Sequence, residues 1–190
     1  MRKLKLQVQM SVDGYIAGTN GEMDWMVWDW DEELKNYVKE ITEPVDCVVL
    51  GRKLAQGFIP HWASHPEEEG ADKINSLKKV VFTKTLDESE PIVTGWDNTI
   101  LAKGGLADEI TKLKNEDGKD IIAYGGAAFV TALIKQELID EYHLFINPIL
   151  LGKGMPIFKE LESKQNLALI KSASFNCGIV VLNYEPKRNS

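Results

Sequence analysis

Ile121-Ile122-Ala123-Tyr124-Gly125-Gly126-Ala127-Ala128-Phe129 runs from an apolar strand pattern through a glycine pair into a helical pattern that continues with Val130, Leu133 and Ile134. Two adjacent glycines let backbone N–H groups approach a ligand with no Cβ in the way. The helix start that follows adds unpaired N–H donors and the positive end of a helix dipole, which suits a phosphate or pyrophosphate. A plain strand-to-helix turn that needs glycine only for its backbone angles reads the same way. The rest of the chain decides between the two.

The same strand, glycine, helix-start junction occurs earlier. Val45-Asp46-Cys47-Val48-Val49-Leu50 is a nearly continuous apolar run, as in a central strand covered on both faces, and it leads into Gly51-Arg52-Lys53-Leu54. The two cations at that helix start are either solvated surface charges or an anion clamp, since arginine offers a planar fork for phosphate. A third strand, Val80-Val81-Phe82, ends in Thr83-Lys84-Thr85, two hydroxyls and an ammonium at a strand end.

Outward from these junctions, Leu4, Leu6, Val8 and Met10 alternate with Lys5, Gln7 and Gln9 as a half-buried strand, which ends in the glycine-bearing loop Ser11–Gly18. Trp25, Trp28 and Trp30 lie among carboxylates, followed by a helix with Leu34, Val38 and Ile41 on one face. Asp29 or Asp31 suits the N-cap of that helix. Asp31 also suits a pocket edge between indoles, where desolvation would raise its pKa toward a range useful for proton donation or ring binding. Residues 58–72 read as a loop, with Pro60, His61, Trp62, His65 and the acidic run Glu67-Glu68-Glu69. No Cys or carboxylate spacing around the histidines matches a metal site, so they are expected at the surface and no metal is expected.

Weak strand candidates at Ile92-Val93 and Thr99–Ala102 precede a helical pattern at Leu106, Ile110 and Leu113. In the last third, a long strand is expected over Tyr142–Leu151, and two more over Leu167–Ser172 and Ile179–Tyr184 form a hairpin. Strands alternate with helices early and cluster late. This predicts one α/β domain over residues 1–190, its sheet parallel at first and antiparallel at the C-terminal edge.

Composition narrows the function classes. The chain has 190 residues, 44% of them hydrophobic, and a net charge of −7, which argues against nucleic acid as a main partner but leaves room for a local basic pocket. Two cysteines in apolar surroundings suit a reducing compartment. With no signal-peptide pattern and no apolar run of bilayer length, no membrane association is expected and the cytoplasm is the expected location.

Three anion-friendly strand ends at one edge of an open α/β sheet would suit a dinucleotide with an extra phosphate, NADPH, although the G-x-G-x-x-G fingerprint is absent. With Ser11-Val12-Asp13-Gly14-Tyr15-Ile16-Ala17, Asp46 through Gly51-Arg52-Lys53, Val81 through Leu86, Gly125-Gly126 and Ile139 through Phe158 in this order, nearly the whole chain resembles the dihydrofolate reductase-like superfamily. It is most similar there to stand-alone bacterial proteins related to the reductase domain of riboflavin biosynthesis. The resemblance implies a three-layer α/β/α fold around an eight- or nine-stranded mixed, mostly parallel sheet that binds NADPH. It implies Ile16 and Ala17 at the nicotinamide end, and Gly51, Arg52 and Lys53 on phosphates. It also implies Thr83, Lys84 and Thr85 at the 2′-phosphate, and Gly125, Gly126, Ala127, Ala128 and Phe129 around the pyrophosphate. A homodimer through the C-terminal strands is implied too.

Leu54 stands where the family usually has threonine, which removes a phosphate-facing hydroxyl. No H-x-E with P-C-x-x-C is present, so a free-standing reductase is implied and a deaminase centre is not. The expected reaction is hydride transfer from NADPH to a C=N bond of a pteridine or ribosylaminopyrimidine, with Asp31 as the candidate ring-binding or proton-donating group. An NADPH-dependent reductase of another small molecule and a non-catalytic nucleotide-binding protein stay open.

Overall fold

The computed structural model describes residues 1–86 and 95–187. In chain order the elements are β1 (Leu4–Ser11), α1 (Glu32–Thr42), β2 (Val45–Gly51), α2 (Arg52–Ser64), α3 (Ala71–Ser76), β3 (Lys78–Phe82), β4 (Thr99–Ala102), α4 (Leu106–Asn115), β5 (Asp120–Tyr124), α5 (Ala127–Lys135), β6 (Glu141–Asn147), β7 (Leu167–Ser174) and β8 (Val180–Pro186). A single 3₁₀ turn, Trp96–Asn98, leads into β4. The Ile92-Val93 candidate lies outside the described residues.

The eight strands form one sheet in the order β4-β3-β2-β5-β1-β6-β8-β7. β1 to β6 are mutually parallel, β8 is antiparallel to β6, and β7 is antiparallel to β8. The mixed sheet with its antiparallel C-terminal edge is the one the sequence predicts.

Strand alternation sorts the apolar residues onto two faces. Leu4, Leu6, Val8, Cys47, Val49, Ile121 and Ala123 pack with Ile110 and Leu113 of α4 and with Val130, Leu133 and Ile134 of α5. On the opposite face Val48, Leu50, Val81 and Ile122 meet Ala55 and Ile59 of α2 and Ile74 of α3. Phe145 and Val181 meet Leu34, Tyr37 and Ile41 of α1. The register puts these last two clusters on one face, because Lys5 pairs with both Ile122 and Glu141, and Gln7 with both Tyr124 and His143. Three layers result, with α1, α2 and α3 on one side and α4 and α5 on the other. Connections of a single hand require this, since the chain moves one way along the sheet from β1 to β4 and back from β4 to β6.

Two expectations need correction. α2 runs through Pro60 to Ser64, and α3 occupies part of the segment read as loop. Proline removes one intrahelical bond and crowds the carbonyl four residues earlier, here that of Gln56. Gln56 and Gly57 are exposed, so water can satisfy that carbonyl, while Ile59 one step away is fully buried and anchors the turn. β6 is shorter than the Tyr142–Leu151 run, ending at Asn147 because Pro148 has no N–H for the ladder.

Candidate functional site

The C-terminal ends of β1 to β6 share one edge of the sheet. Three of them turn directly into helices whose N-caps are glycines, Gly51 for α2, Gly105 for α4 and Gly126 for α5, and none of the three has a side-chain cap. The first N–H groups of these helices are therefore left to solvent or to a ligand, at the positive end of each dipole. Gly126 sits at φ +98°, a conformation side chains other than glycine rarely adopt.

The junctions touch one another. A Cβ on Gly51 would lie 2.8 Å from Cβ of Phe129, and one on Gly126 would lie 3.7 Å from Cβ of Leu54. Thus Gly51–Leu54 and Gly126–Phe129 form a single wall, with the Phe129 ring tilted against Phe82 at 5.2 Å. The end of β3 joins through Arg52, whose Nη1 donates to Oγ1 of Thr85. Thr83 is placed differently from its two neighbours. It is buried, and its hydroxyl accepts the N–H groups of Thr85 (3.1 Å) and Leu86 (3.0 Å), so it shapes the turn that holds exposed Lys84 and Thr85.

Cations collect at this edge despite the acidic chain. Arg52, Lys53 and Lys84 are exposed and form no ion pair among the described residues. Lys103 joins them after β4, which is tied to the β3 end by the Thr83 N–H donating to Ala102 O at 3.1 Å. Lys103-Gly104-Gly105 was missed as a site element. Its signal is the same glycine-to-helix junction as Gly125-Gly126, preceded by a cation.

Beside this wall the sheet has a notch. β5 pairs with β1 only from Leu4↔Ile121 to Gln7↔Tyr124, whereas β6 follows β1 to Ser11. Among the described residues, the β5 side of β1 has no strand neighbour past Gln7. The Ser11–Ala17 loop folds over this end, and Cδ1 of Ile16 lies 4.0 Å from the Cβ position of Gly125. The loop is pinned from the 149–156 segment: Val12 N–H donates to Ile149 O (2.9 Å), Ile16 N–H to Met155 O (3.0 Å) and Met155 N–H to Ala17 O (2.8 Å). Asp13 accepts from the N–H groups of Leu151 (3.1 Å) and Gly152 (2.6 Å). Ile16 and Ala17 are buried, so the wall they make is dry and apolar.

Of the two roles expected for Asp31, the structure shows the helix N-cap and not the ring-binding or proton-donating group. One carboxylate oxygen accepts the Leu34 N–H at 2.8 Å as the α1 N-cap, and the other accepts the Cys177 N–H at 3.1 Å from the β7–β8 turn. These bonds, Leu34's first, hold its pKa below the ordinary carboxylate value, opposite to the rise a proton donor needs. Asp31 is a structural clasp between α1 and the hairpin. The tryptophans near it stack, Trp28 on Trp30 at 6.5 Å and Trp30 on Phe145 at 6.4 Å.

The polar side of β1 supplies what the sequence reading left out. Between the α2 and α1 clusters run Lys5 and Gln7, both buried. His143, also buried, meets Tyr37 Oη through Nδ1 at 3.0 Å, and lies 3.3 Å from Glu141 through Nε2. Oε1 of Gln7 has no partner among the described residues.

The family model described as the RibD C-terminal domain matches residues 2–181. The chain belongs to the RibD C-terminal domain family. Within it, the chain is 33% identical over 187 residues to the uncharacterized protein YyaP of Bacillus subtilis (strain 168), covering 96% of this chain and 94% of that one. It is 22% identical to the riboflavin biosynthesis protein RibD of Corynebacterium ammoniagenes, over 80% of this chain but 44% of that protein. Among solved structures, a candidate riboflavin biosynthesis protein from Shewanella sp. PV-4 superposes with a TM-score of 0.75 at 28% identity, covering 99% of this chain and 100% of that chain. The diaminohydroxyphosphoribosylaminopyrimidine deaminase/5-amino-6-(5-phosphoribosylamino)uracil reductase of Thermotoga maritima superposes with a TM-score of 0.70 at 17% identity, over 98% of this chain and 57% of that chain, and speaks for the fold alone. RibD C-terminal membership supports a reductase-like function. Among the described residues no helix is long and apolar enough to cross a membrane.

Proposed function

We propose that this RibD C-terminal-type chain is an NADPH-dependent reductase whose substrate carries a C=N bond in a pteridine or a ribosylaminopyrimidine. The observation that carries the reading is the meeting of three strand ends in one basic, glycine-walled edge beside the notch on β1. The donor set suits the cofactor. Unpaired helix-start N–H groups and a glycine held at positive φ offer a pyrophosphate cradle, and four cations sit where further phosphate charge would fall. When bound there, NADPH supplies the hydride.

In this reading the backbone of Gly125, Gly126, Ala127, Ala128 and Phe129 holds the pyrophosphate. Gly51, Arg52 and Lys53 hold phosphate charge from the α2 side, and Lys84 and Thr85 face the 2′-phosphate with Arg52 oriented by Thr85. Ile16 and Ala17 wall the nicotinamide end and exclude water. Leu54 presents an apolar surface to Gly126 where a hydroxyl would otherwise add a bond. A homodimer belongs to the same proposal. β7 is an edge strand with Leu169 and Ile170 more than half exposed, and sedimentation velocity should give twice the mass of one chain.

The test uses NADPH deuterated at one or the other face of C4, with dihydrofolate and the riboflavin-pathway ribosylaminopyrimidine as acceptors. The reading expects deuterium in one product from one face only. Cofactor oxidation that no acceptor accelerates, with no label transferred, refutes the reductase reading.

A further inference from the structure

At the end of α2 remote from Gly51, His61 and His65 stand one helical turn apart, and their rings stack with centroids 4.6 Å apart. Residues four apart on a helix share a face, so this pairing is set by sequence once the helix continues past Pro60. The chain then doubles back. Glu68 N–H donates to His65 O at 3.1 Å and Ala71 N–H donates to Glu68 O at 3.0 Å. That turn carries the Glu68 carboxylate to 3.1 Å from Nε2 of His61. One ligand atom from each of His61, His65 and Glu68 lies within 4.8 Å of those of the other two.

We infer that His61, His65 and Glu68 form a binding site for a divalent transition-metal ion of the zinc type, which clasps the last turn of α2 to the connection leading into α3. Imidazole and carboxylate donors at about 2.0–2.1 Å from a tetrahedral ion stand about 3.3 Å from each other, close to the His61–Glu68 separation. A modest rotation of His65 closes the third edge, and water completes the shell.

The tautomer of His65 is set for ligation. Its Nδ1 lies 2.8 Å from His61 O, and a carbonyl only accepts, so Nδ1 carries a proton and the neutral ring has its lone pair on Nε2. This is the arrangement in which a metal-binding histidine is oriented by a backbone carbonyl. The surroundings favour a cation: Glu67 and Glu69 flank Glu68, and the chain carries −7 overall. Two imidazoles and one carboxylate select zinc, cobalt or nickel over magnesium or calcium, which prefer all-oxygen shells. The clasp has a structural lever to act on, since Trp62 O accepts from Nδ2 of Asn75 in α3 at 2.9 Å and the Trp62 ring packs on His61 at 5.6 Å. The site is independent of the cofactor edge.

The test is a Zn²⁺ titration by calorimetry on untagged, metal-stripped full-length protein, paralleled by Co²⁺ absorption in the visible, for the wild type, His61→Ala and Glu68→Gln. Both positions are substantially exposed, and circular dichroism checks that each variant folds. The inference expects one ion per chain, a cobalt spectrum of nitrogen and oxygen ligation, a rise in Tm with zinc, at least tenfold weaker binding in both variants, and no competition from millimolar Mg²⁺. No zinc uptake, or uptake that both variants retain, or displacement by Mg²⁺, overturns it.

Discussion

Replacing Gly51 by alanine probes whether the β2–α2 and β5–α5 junctions meet as described. Gly51 has φ −75° and ψ 149°, which alanine adopts without strain, so the backbone contributes no penalty. The cost comes from packing alone. The new Cβ lies 2.8 Å from Cβ and 3.1 Å from Cγ of Phe129, both on α5 and backed by Phe82. Because the nearest atom is a Cβ, no rotamer change of Phe129 relieves the contact, and α5 must shift against α2. Such overpacking costs about 1–3 kcal/mol. For a chain of this size each kcal/mol lowers Tm by about 2–4 °C, so the expected drop is about 2–12 °C. The assay is a double-mutant cycle in urea with Phe129→Gly, which removes both contacted atoms. In the Phe129→Gly background, Gly51→Ala should be nearly neutral, giving a coupling of about 1 kcal/mol or more. Additivity within about 0.5 kcal/mol would show that the two junctions do not touch, and the shared wall would be wrong.

Asp31→Ala should lower Tm by opening both ends of its clasp, while Asp31→Asn, which still caps a helix, should lower it less. Turnover on any substrate found should survive Asp31→Asn, and its abolition would restore Asp31 as a proton donor. Glu141 is held down to about 2 by its bond to His143, then by Lys3 and Lys5, against burial that opposes the shift. Its folded pKa is lower than its unfolded one, so its contribution is fully present above about pH 4.5 and is lost as pH falls toward 2. Glu141→Gln should therefore flatten the loss of stability over that range, and an unchanged acid-unfolding profile would contradict the assignment.

The fold was legible where burial and periodicity agree. The Val45–Leu50 run, the alternation from Leu4 to Met10 and the apolar Ile121–Ala123 are each dictated by which faces a strand must cover, and all three are central strands. The segment after Phe58 was misread because Pro60 and a run of glutamates carry loop signals, while the helix there is held by Ile59 and Ile74 docking onto β2 and β3, a tertiary effect that local composition does not encode. The anion-friendly strand ends were legible one by one from their glycines and cations. That they share one edge follows from strand order, and that Gly51 lies against Phe129 follows from packing, which no single stretch reveals. Asp31 shows the converse. Its type and position fit two roles, and only the Cys177 N–H, 146 residues away in sequence, shows that both oxygens are occupied.

The most direct measurement is calorimetric titration of the wild type and Arg52→Ala with NADPH and with NADH. NADPH should bind more tightly than NADH and lose about tenfold or more in Arg52→Ala, as expected for removal of a charge-assisted phosphate contact worth about 1.5–3 kcal/mol. Binding of neither nucleotide, or NADPH binding that Arg52→Ala leaves unchanged, would contradict the claim that these three strand ends build the cofactor site.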